Sequence, residues 1–240
     1  MSIRSDGRDP DQSRPIKITP GFMPQAEGSA LIETGGTKVI CTASVENSVP
    51  SFRRGSGLGW ITAEYSMLPR ATNTRTSREV NRGRPGGRTF EIQRLIGRSL
   101  RAVVDMKKLG ERAIFVDCDV IQADGGTRTA AITGGWVALA LSLAQMAEYK
   151  MIPESPLNRY LAAVSVGVVD SVPMLDLCYE EDSRADVDMN VVMTSDDELV
   201  EVQATGEGKT FTRSGLDELL SLAEKGVGDL IAAQKAIVKL

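Results

Sequence analysis

The chain has 240 residues, of which 42% are hydrophobic and 25% charged, with a formal net charge of -4 and no histidine. That length is enough for one large domain or two small ones. The absence of histidine excludes Ser-His-Asp and Cys-His catalysis, histidine-ligated zinc and imidazole acid–base chemistry. Any chemistry must therefore rely on carboxylates, arginine, hydroxyls, backbone amides or a hard metal ion.

The two halves of the chain differ in charge. Residues 1–110 contain 18 Lys and Arg against 10 Asp and Glu, whereas residues 111–240 contain 10 against 22. A basic half on an acidic protein indicates either a localised site for a polyanion or only a polarised surface.

Three features predict a cytoplasmic protein that does not associate with membranes. No apolar run approaches the length of a membrane span, and the polar first residues do not resemble a signal peptide. Cys41, Cys118 and Cys178 are widely spaced in apolar, strand-like contexts, and we expect them to be reduced core residues.

The N-terminal part of the chain begins with residues 1–15, which have no apolar periodicity and are expected to form a loose arm. Ala30–Thr34 and Lys38–Val45 flank Gly35-Gly36 and predict a β-hairpin. Residues 59–68 predict a further strand.

A basic stretch follows, with nine arginines and only two acids between positions 70 and 101. Residues 71–87 have no apolar face and are expected to form a mobile loop. Arginine without lysine favours fork-like contacts to phosphate, so we expect RNA or DNA contact here, with a solvated loop as the alternative. The arginines are Arg70, Arg75, Arg78, Arg82, Arg84, Arg88, Arg94, Arg98 and Arg101.

A helix is predicted from a cap at Thr89 to about Leu109, because apolar residues recur with a period of 3.6. Arg94, Arg98 and Arg101 share the opposite face. Arg88 stands at the helix entrance. The buried stripe is Ile92, Leu95, Ile96, Leu100, Val103 and Val104.

The central motif lies in residues 115–146, where a β-rich run, a glycine-rich turn and an apolar helical segment follow one another. A turn of this kind presents free backbone N–H groups and the helix dipole to an anion. Thr127 and Thr129 add hydroxyls and Arg128 adds a guanidinium. The turn matches neither a P-loop nor a GxGxxG motif. The alternative is an ordinary βα turn with a solvated arginine.

The second half repeats the order of strands followed by helices and predicts a duplicated α+β unit. We expect a linker at residues 153–156, two strand pairs, a helix capped by Ser214 and a last helix from about Asp229. The paired segments are 161–167 with 174–179, and 189–193 with 199–203.

An acidic cluster at residues 180–188 lies between two of these strands. Asp186 and Asp188 alternate with Val187 and would point the same way at the start of a strand. Carboxylates without histidine favour Mg²⁺ or Mn²⁺, and a solvated acidic loop is the alternative.

Several of these segments resemble the ribonuclease PH family of phosphorolytic exoribonucleases, which are tRNA nucleotidyltransferases. They are GWITAEYSMLPR at 59–70, GGRTFEIQRLIGRSLRAVVD at 86–105, DCDVIQADGGTRTAAITG at 117–134, DMNVVMT and EVQATGEG. The resemblance spans nearly the whole chain. It implies an α+β fold with two βαβα-type halves like ribosomal protein S5 domain 2, with mixed sheets packed against helices. Domain 1 would cover residues 1–152 and domain 2 residues 153–240.

The resemblance also implies an activity: inorganic phosphate attacks the last phosphodiester of tRNA precursors or other structured RNA 3′ ends and releases nucleoside 5′-diphosphates. The reverse reaction adds nucleotides. The family forms a homohexameric ring, a trimer of dimers. The residues carried over are Arg88, Gly126, Thr127 and Arg128 for phosphate, Arg70, Arg75 and Arg78 for RNA, and Asp182 and Asp188 for Mg²⁺ or Mn²⁺.

Two other functions remain open from the sequence. A non-catalytic RNA-binding ring subunit would be expected to lose the phosphate-site or carboxylate residues, and this chain has kept both. A hydrolytic nuclease would release nucleoside monophosphates without added phosphate.

Overall fold

The computed structural model describes residues 4–240, with the side chains of Val80 and Arg82 outside the described part. The strands are β1 Ile16–Pro20, β2 Gly28–Thr34, β3 Thr37–Glu46, β4 Trp60–Met67, β5 Ala113–Gln122, β6 Leu161–Val169, β7 Val172–Leu175, β8 Val187–Thr194 and β9 Leu199–Gly206. The helices are α1 Gly87–Arg101, α2 Met106–Leu109, α3 Thr127–Glu148, α4 Tyr179–Asp182 and α5 Arg213–Lys235, with short 3₁₀ helices at Ser51–Arg53 and Glu79–Arg82.

The first half forms a five-stranded sheet in the order β1-β2-β3-β5-β4. Its strands pair antiparallel except for β4 and β5, which are parallel. The hairpin predicted around Gly35-Gly36 is β2–β3, with Thr34 opposite Thr37. Alternate residues of β3 point inward, and Cys41 and Cys118 lie opposite each other as free, buried thiols.

The second half forms a four-stranded antiparallel sheet in the order β7-β6-β8-β9, with α5 packed against it. The two predicted strand pairs are β6–β7 and β8–β9. The prediction of a mixed α+β fold with two sheets and packed helices is confirmed. The division at residues 152 and 153 stays a prediction.

Helix α3 is the central element of the core. By length and composition it could cross a membrane, which the sequence analysis did not anticipate, but most of it is buried inside the molecule. It packs on β2 and β3 of the first sheet and also on β6 of the second. A helix buried on nearly every side carries apolar residues all round, and this accounts for its composition.

The ends of the outer helices differ from the predictions. Gly86, not Thr89, is the N-cap of α1, and the Thr89 hydroxyl instead donates to Glu79 at 2.8 Å. The helix ends at Arg101, and Asp105 caps the separate helix α2 by accepting from two backbone N–H groups. The apolar stripe continues across this break because Val103 and Val104 are also buried.

The C-terminal segment is one helix, α5, rather than two. Thr212, not Ser214, is its N-cap, with the hydroxyl accepting from Gly215 N. Asp229, predicted as the start of a last helix, lies inside α5. At Gly226 a Cβ would lie 2.6 Å from Leu175, so the glycine allows the helix to pack closely on the sheet.

The prediction of a loose N-terminal arm is wrong for the described residues 4–15, and residues 1–3 lie outside them. Arg4, Arg8 and Arg14 are all buried. They pair with Asp176 and Glu181 of the second half. The missing apolar periodicity is explained because this segment is held by ion pairs and hydrogen bonds rather than by a hydrophobic face.

Candidate active site

The glycine-rich turn joins β5 to the start of α3, as predicted. Gly125 and Gly126 have φ values of 74° and 63°, in the left-handed region that favours glycine. At Gly125 a Cβ would lie 2.6 Å from the carbonyl oxygen of Leu177. The turn therefore sits directly against the segment that leads to Asp182, and only glycine permits this approach.

Thr37 fixes the shape of the turn from the neighbouring strand. Its fully buried hydroxyl donates to the carbonyl oxygen of Gly125 at 2.6 Å and accepts from the N–H of Asp124 at 2.8 Å. The Asp124 carboxylate in turn accepts from Tyr179 N at 3.3 Å, at the beginning of α4. The turn is thus held rigidly before any ligand arrives.

Helix α3 begins at Thr127, so its first backbone N–H groups have no acceptor within the helix and face outward with the positive end of the helix dipole. The Thr127 hydroxyl lies 2.8 Å from the buried hydroxyl of Tyr65. When Tyr65 donates in this bond, the Thr127 proton is free to be donated to an anion. Burial raises the pKa of Tyr65, which keeps it a neutral donor.

Arg128 is held by two residues from different parts of the chain. Its Nη1 donates to Gln203 Oε1 at 2.8 Å and lies 3.4 Å from the Glu91 carboxylate. Gln203 Nε2 donates to the same Glu91 oxygen at 2.7 Å. Gln203 belongs to β9 and Glu91 to α1, so this triangle of side chains joins the two halves beside the start of α3.

Arg88 lies in the first turn of α1, which packs against α3. Its charge and that of Arg128 both act on Tyr65, Asp182 and Asp188. Desolvation raises the pKa of all three groups, and each arginine lowers it. The structure therefore brings together four of the predicted site residues, Arg88, Arg128, Asp182 and Asp188, although they are far apart in sequence.

The two aspartates form a second, negative part of the same site. Burial raises the pKa of Asp188 to about 6, with Asp182 and Glu207 adding to the rise and the two arginines opposing it. Partial desolvation also raises the pKa of Asp182, although this residue is exposed at the surface. Among the charged groups, Asp182 on α4 has the largest effect on Asp188, whereas the Asp186 carboxylate accepts a hydrogen bond from Lys209 at 2.9 Å.

These carboxylates fit a divalent cation that also binds substrate. The residues that the structure describes contain no group of three or more Cys, Asp or Glu side chains arranged to hold a metal by themselves. Mg²⁺ is commonly held by one or two carboxylates together with substrate phosphates and water. Desolvation, with Asp182 and Glu207 second to it, disfavours the ionised form of Asp188, and a bound cation would favour that form.

The remaining predicted residues lie in the basic stretch. Arg70, Arg75 and Arg78 are exposed between β4 and α1, where the described backbone forms no strand and only a short 3₁₀ helix. Arg70 lines a cleft of about 430 Å³ together with Asp124 and Tyr179. The charge of Arg78 acts on Asp119 on the outer side of the sheet. The prediction for Arg82 falls outside the described side chains.

Four residues that contact the site or act on it were not predicted from the sequence: Tyr65, Glu91, Gln203 and Glu207. Tyr65 could have been predicted from the alternation in β4, where it follows Ile61 and Ala63 on the buried face. A hydroxyl on an otherwise apolar face indicates a specific hydrogen-bond partner. The other three lie on exposed or half-buried surfaces and acquire their place only when the two halves pack together.

Comparisons with known proteins agree with this geometry. The model of the 3′ exoribonuclease family, domain 1, matches residues 12–145, and that of domain 2 matches residues 159–226. A protein of Solibacter usitatus named ribonuclease PH is 58% identical over 237 residues, 99% of this chain and 100% of the relative. Another of that name from Syntrophomonas wolfei is 57% identical over 235 residues, 98% of each chain.

Among solved structures, the fold resembles that of an Archaeoglobus fulgidus exosome described as having RNA bound to the active site. The TM-score is 0.81 at 25% identity, with 95% of this chain and 91% of that chain covered. A rice Rrp46 structure, 19% identical with a TM-score of 0.77, shares the fold. The family models cover most of the sequence, and the curated relatives match it from end to end, so this chain belongs to the 3′ exoribonuclease family of ribonuclease PH.

Proposed function

We propose that this phosphate-dependent 3′→5′ exoribonuclease, which trims tRNA precursors, uses Arg88, Gly126, Thr127 and Arg128 to hold the attacking inorganic phosphate. The observation that carries the proposal is that Arg88 of α1 and Arg128 of α3 both act electrostatically on Asp182 and Asp188. The two arginines and the free N–H groups can bind an anion, and the two nearby carboxylates can bind a cation. Such an arrangement suits a reaction between two phosphate groups.

The missing histidine is compatible with this chemistry because phosphate is already anionic near neutral pH and needs no base to activate it. The obstacle is the repulsion between the attacking phosphate and the RNA phosphodiester. Arg88, Arg128, the Thr127 hydroxyl and the first N–H groups of α3 offset that repulsion and orient the attacking oxygen. The P–O3′ bond breaks as the new P–O bond forms, and a nucleoside 5′-diphosphate leaves.

Asp182 and Asp188 are proposed to hold Mg²⁺ or Mn²⁺. When bound, such an ion supplies positive charge for the scissile phosphoryl group and the departing 3′-oxygen. The charges of Arg88 and Arg128 act on both carboxylates, so the cation and the attacking anion would be held close to each other.

Arg70, Arg75 and Arg78 are proposed to contact the RNA backbone outside the reaction centre. They are exposed, and such contacts to phosphate position an RNA without reading its sequence. The proposed assembly is a homohexameric ring, a trimer of dimers, consistent with the likeness to exosome structures. The free, buried cysteines fit a cytoplasmic location.

The test is incubation of the protein with a tRNA carrying a short 3′ extension, with and without inorganic phosphate, followed by identification of the released nucleotide. Nucleoside diphosphates that appear only with phosphate are expected. Monophosphates released without phosphate would indicate a hydrolytic nuclease. RNA binding without any product would indicate a non-catalytic subunit.

Replacing Arg75 with alanine should weaken tRNA binding without changing the chemistry of the bound 3′ end. Each lost phosphate contact lowers the slope of log K against log salt concentration by about 1. Titrations of labelled tRNA at several salt concentrations measure this slope. Arg213→Ala, which removes an exposed arginine at the start of α5, should leave the slope unchanged; equal slopes for all three proteins remove Arg75 from the RNA interface.

Replacing Gln203 with glutamate should raise the KM for phosphate by about tenfold or more with a smaller effect on kcat, since supporting residues of a site commonly contribute that much. The neutral amide holds Arg128 at 2.8 Å without cancelling its charge, whereas a carboxylate would compete with phosphate. Initial rates at varied phosphate measure the effect. Gln145→Glu, about 26 Å from Arg128 along α3, is the control; an unchanged KM in Gln203→Glu contradicts the prediction.

A further inference from the structure

The N-terminal segment, residues 4–14, makes the most extensive buried ionic contacts that the structure describes. Arg4, Arg8 and Arg14 are 4%, 7% and 4% exposed, and their charged partners Asp176 and Glu181 are 7% and 2% exposed. Partners more than 160 positions apart in the chain meet here, on the segment that runs from the end of β7 through α4 to Asp182.

Arg14 connects this segment to the phosphate turn. Its guanidinium donates to both oxygens of Asp176, at 3.0 Å and 2.7 Å, and its backbone N–H donates to the same carboxylate at 2.8 Å. The other terminal nitrogen donates to the carbonyl oxygen of Asp124, immediately before Gly125-Gly126. Asp176 itself has a φ of 52°, so the chain bends sharply at the residue that Arg14 holds.

Arg4 holds the other end of the segment. Its Nε and Nη2 donate to the two oxygens of Glu181, each at 2.7 Å, and it also donates to the carbonyl oxygens of Leu175 and Asp176. Glu181 is the residue before Asp182 in α4. Its carboxylate also accepts from the backbone N–H of Cys178, the N-cap of that helix. A fork-shaped pair of this kind fixes both the position and the direction of the carboxylate.

Stability alone does not account for these contacts. Two ions taken out of water regain little more than the cost of their desolvation, and apolar residues of similar volume often serve a fold equally well. Although burial would raise the pKa of Asp176 and Glu181, Arg14 and Arg4 lower both, so the pairs are held in the charged form. What such pairs provide is a defined geometry between the elements that they join.

We propose that Arg4 and Arg14 are positioning residues that set the phosphate turn and the Asp182 carboxylate at the separation that the reaction needs. Arg14 acts on the turn through Asp124 and on the bend at Asp176, and Arg4 acts on Asp182 through Glu181. Arg8 belongs to the same set of contacts and donates to the carbonyl oxygens of Gln12 and Asp176. We call Arg4, Arg8 and Arg14 with their partners the N-terminal clasp. The inference rests on the proposed function and adds to it a device that ties both halves of the site to the beginning of the chain.

The experiment uses two double variants that remove a pair without leaving a buried charge alone, Arg14→Met with Asp176→Asn and Arg4→Met with Glu181→Gln. Asparagine tolerates a positive φ and suits position 176. The matched control is Arg159→Met with Glu198→Gln, an ion pair at the opposite end of β8. Steady-state phosphorolysis is measured at varied phosphate and varied Mg²⁺, with thermal unfolding and tRNA binding on the same samples.

The two arms of the clasp predict different kinetic signatures. The double variant at Arg14 and Asp176 should raise the KM for phosphate by about tenfold or more, because the glycine-rich turn is no longer held in place. The double variant at Arg4 and Glu181 should lower kcat and raise the Mg²⁺ concentration needed for half-maximal rate, by about tenfold or more. Its KM for phosphate should change less. Excess Mg²⁺ should partly rescue the second variant and not the first, and the control should match the wild type.

Wild-type kinetics in both double variants would overturn the proposal, as would identical losses in both that follow only the loss of folded protein. If a double variant does not fold, Arg14→Lys and Arg4→Lys keep the charge but lose the fork, and the same two signatures are expected of them. The wild-type protein is assayed before any variant is made. If it releases no nucleoside diphosphate, the proposed function is overturned instead.

Discussion

Arg128→Ala is expected to lower the rate of phosphorolysis by about a thousandfold, in the range found for arginines and other preorganised donors that stabilise transferring phosphoryl groups. The Arg128 side chain is only 16% exposed, so its charge acts on phosphate through little water. Folding should be nearly unaffected, since its ionic partner Glu91 is 48% exposed and can be hydrated once the arginine is gone.

The measurement compares initial rates of diphosphate release with tRNA binding by the same preparation. Binding should stay near the wild-type level because Arg70, Arg75 and Arg78 lie in a different segment. The rate of phosphorolysis by Arg128→Lys should lie between those of the wild type and Arg128→Ala. Lysine keeps the charge but cannot donate from two nitrogens to one phosphate. Arg159→Ala, an arginine paired with Asp196 and Glu198 far from the turn, is the control. A wild-type rate for Arg128→Ala would show that phosphate binds elsewhere.

The strands and the central helix were predictable because their signals are local. The β2–β3 hairpin follows from apolar alternation on both sides of Gly35-Gly36, and the strand, turn and helix of residues 113–148 follow from a β-rich run, two glycines and an apolar helical segment. Helix ends were less predictable. The apolar stripe of α1 continues past Arg101 into a turn and α2, so periodicity alone does not show where the helix stops.

The N-terminal segment was unpredictable for a different reason. Nothing within residues 4–14 indicates burial, because the carboxylates that neutralise its arginines lie more than 160 positions away. A charged segment without periodicity looks the same in sequence whether it is solvated or paired. Only the meeting of the two halves decides between these states.

The site shows the same division between local and distant information. The glycines and Arg128 stand in one short motif whose chemistry can be read directly from the residues. Gln203 and Glu91, which hold Arg128, come from β9 and α1 and show no chemical signal of their own in the sequence. Arg88 at a helix entrance and Asp188 in the acidic cluster were noticed from the residues, but their roles, and the choice of Asp182, came from resemblance to a family. Their electrostatic coupling supports the assignment.

Asp188→Asn is expected to abolish most of the activity and, in the presence of a metal chelator, to make the protein more stable. Burial, with Asp182 second, raises the pKa of Asp188 from 3.8 to about 6, so the ionised carboxylate is disfavoured in the folded state. At pH 7.5 removal of this charge should increase the free energy of unfolding by roughly 1–3 kcal/mol, since one unit of pKa corresponds to about 1.4 kcal/mol.

The sign follows from proton binding. Because the folded pKa lies above the unfolded value, the folded protein holds more protons between pH 3.8 and about 6, and its stability falls as pH rises through that window. The advantage of the asparagine variant should therefore be fully present above about pH 6 and lost below pH 3.8, where the wild-type carboxyl is protonated in both states. Denaturant titrations across this range measure it.

Mg²⁺ or Mn²⁺ should reverse the order of stabilities at pH 7.5, because a cation bound by Asp182 and Asp188 stabilises only the folded wild type. Asp186→Asn is the matched control: its carboxylate already pairs with Lys209, so neutralising it should give neither the gain in chelator nor the reversal with metal. An asparagine variant at 188 that is no more stable than wild type in chelator contradicts the charge balance proposed for the site. A gain in chelator that the metal does not reverse places the cation on other ligands and leaves the arginine side of the mechanism intact.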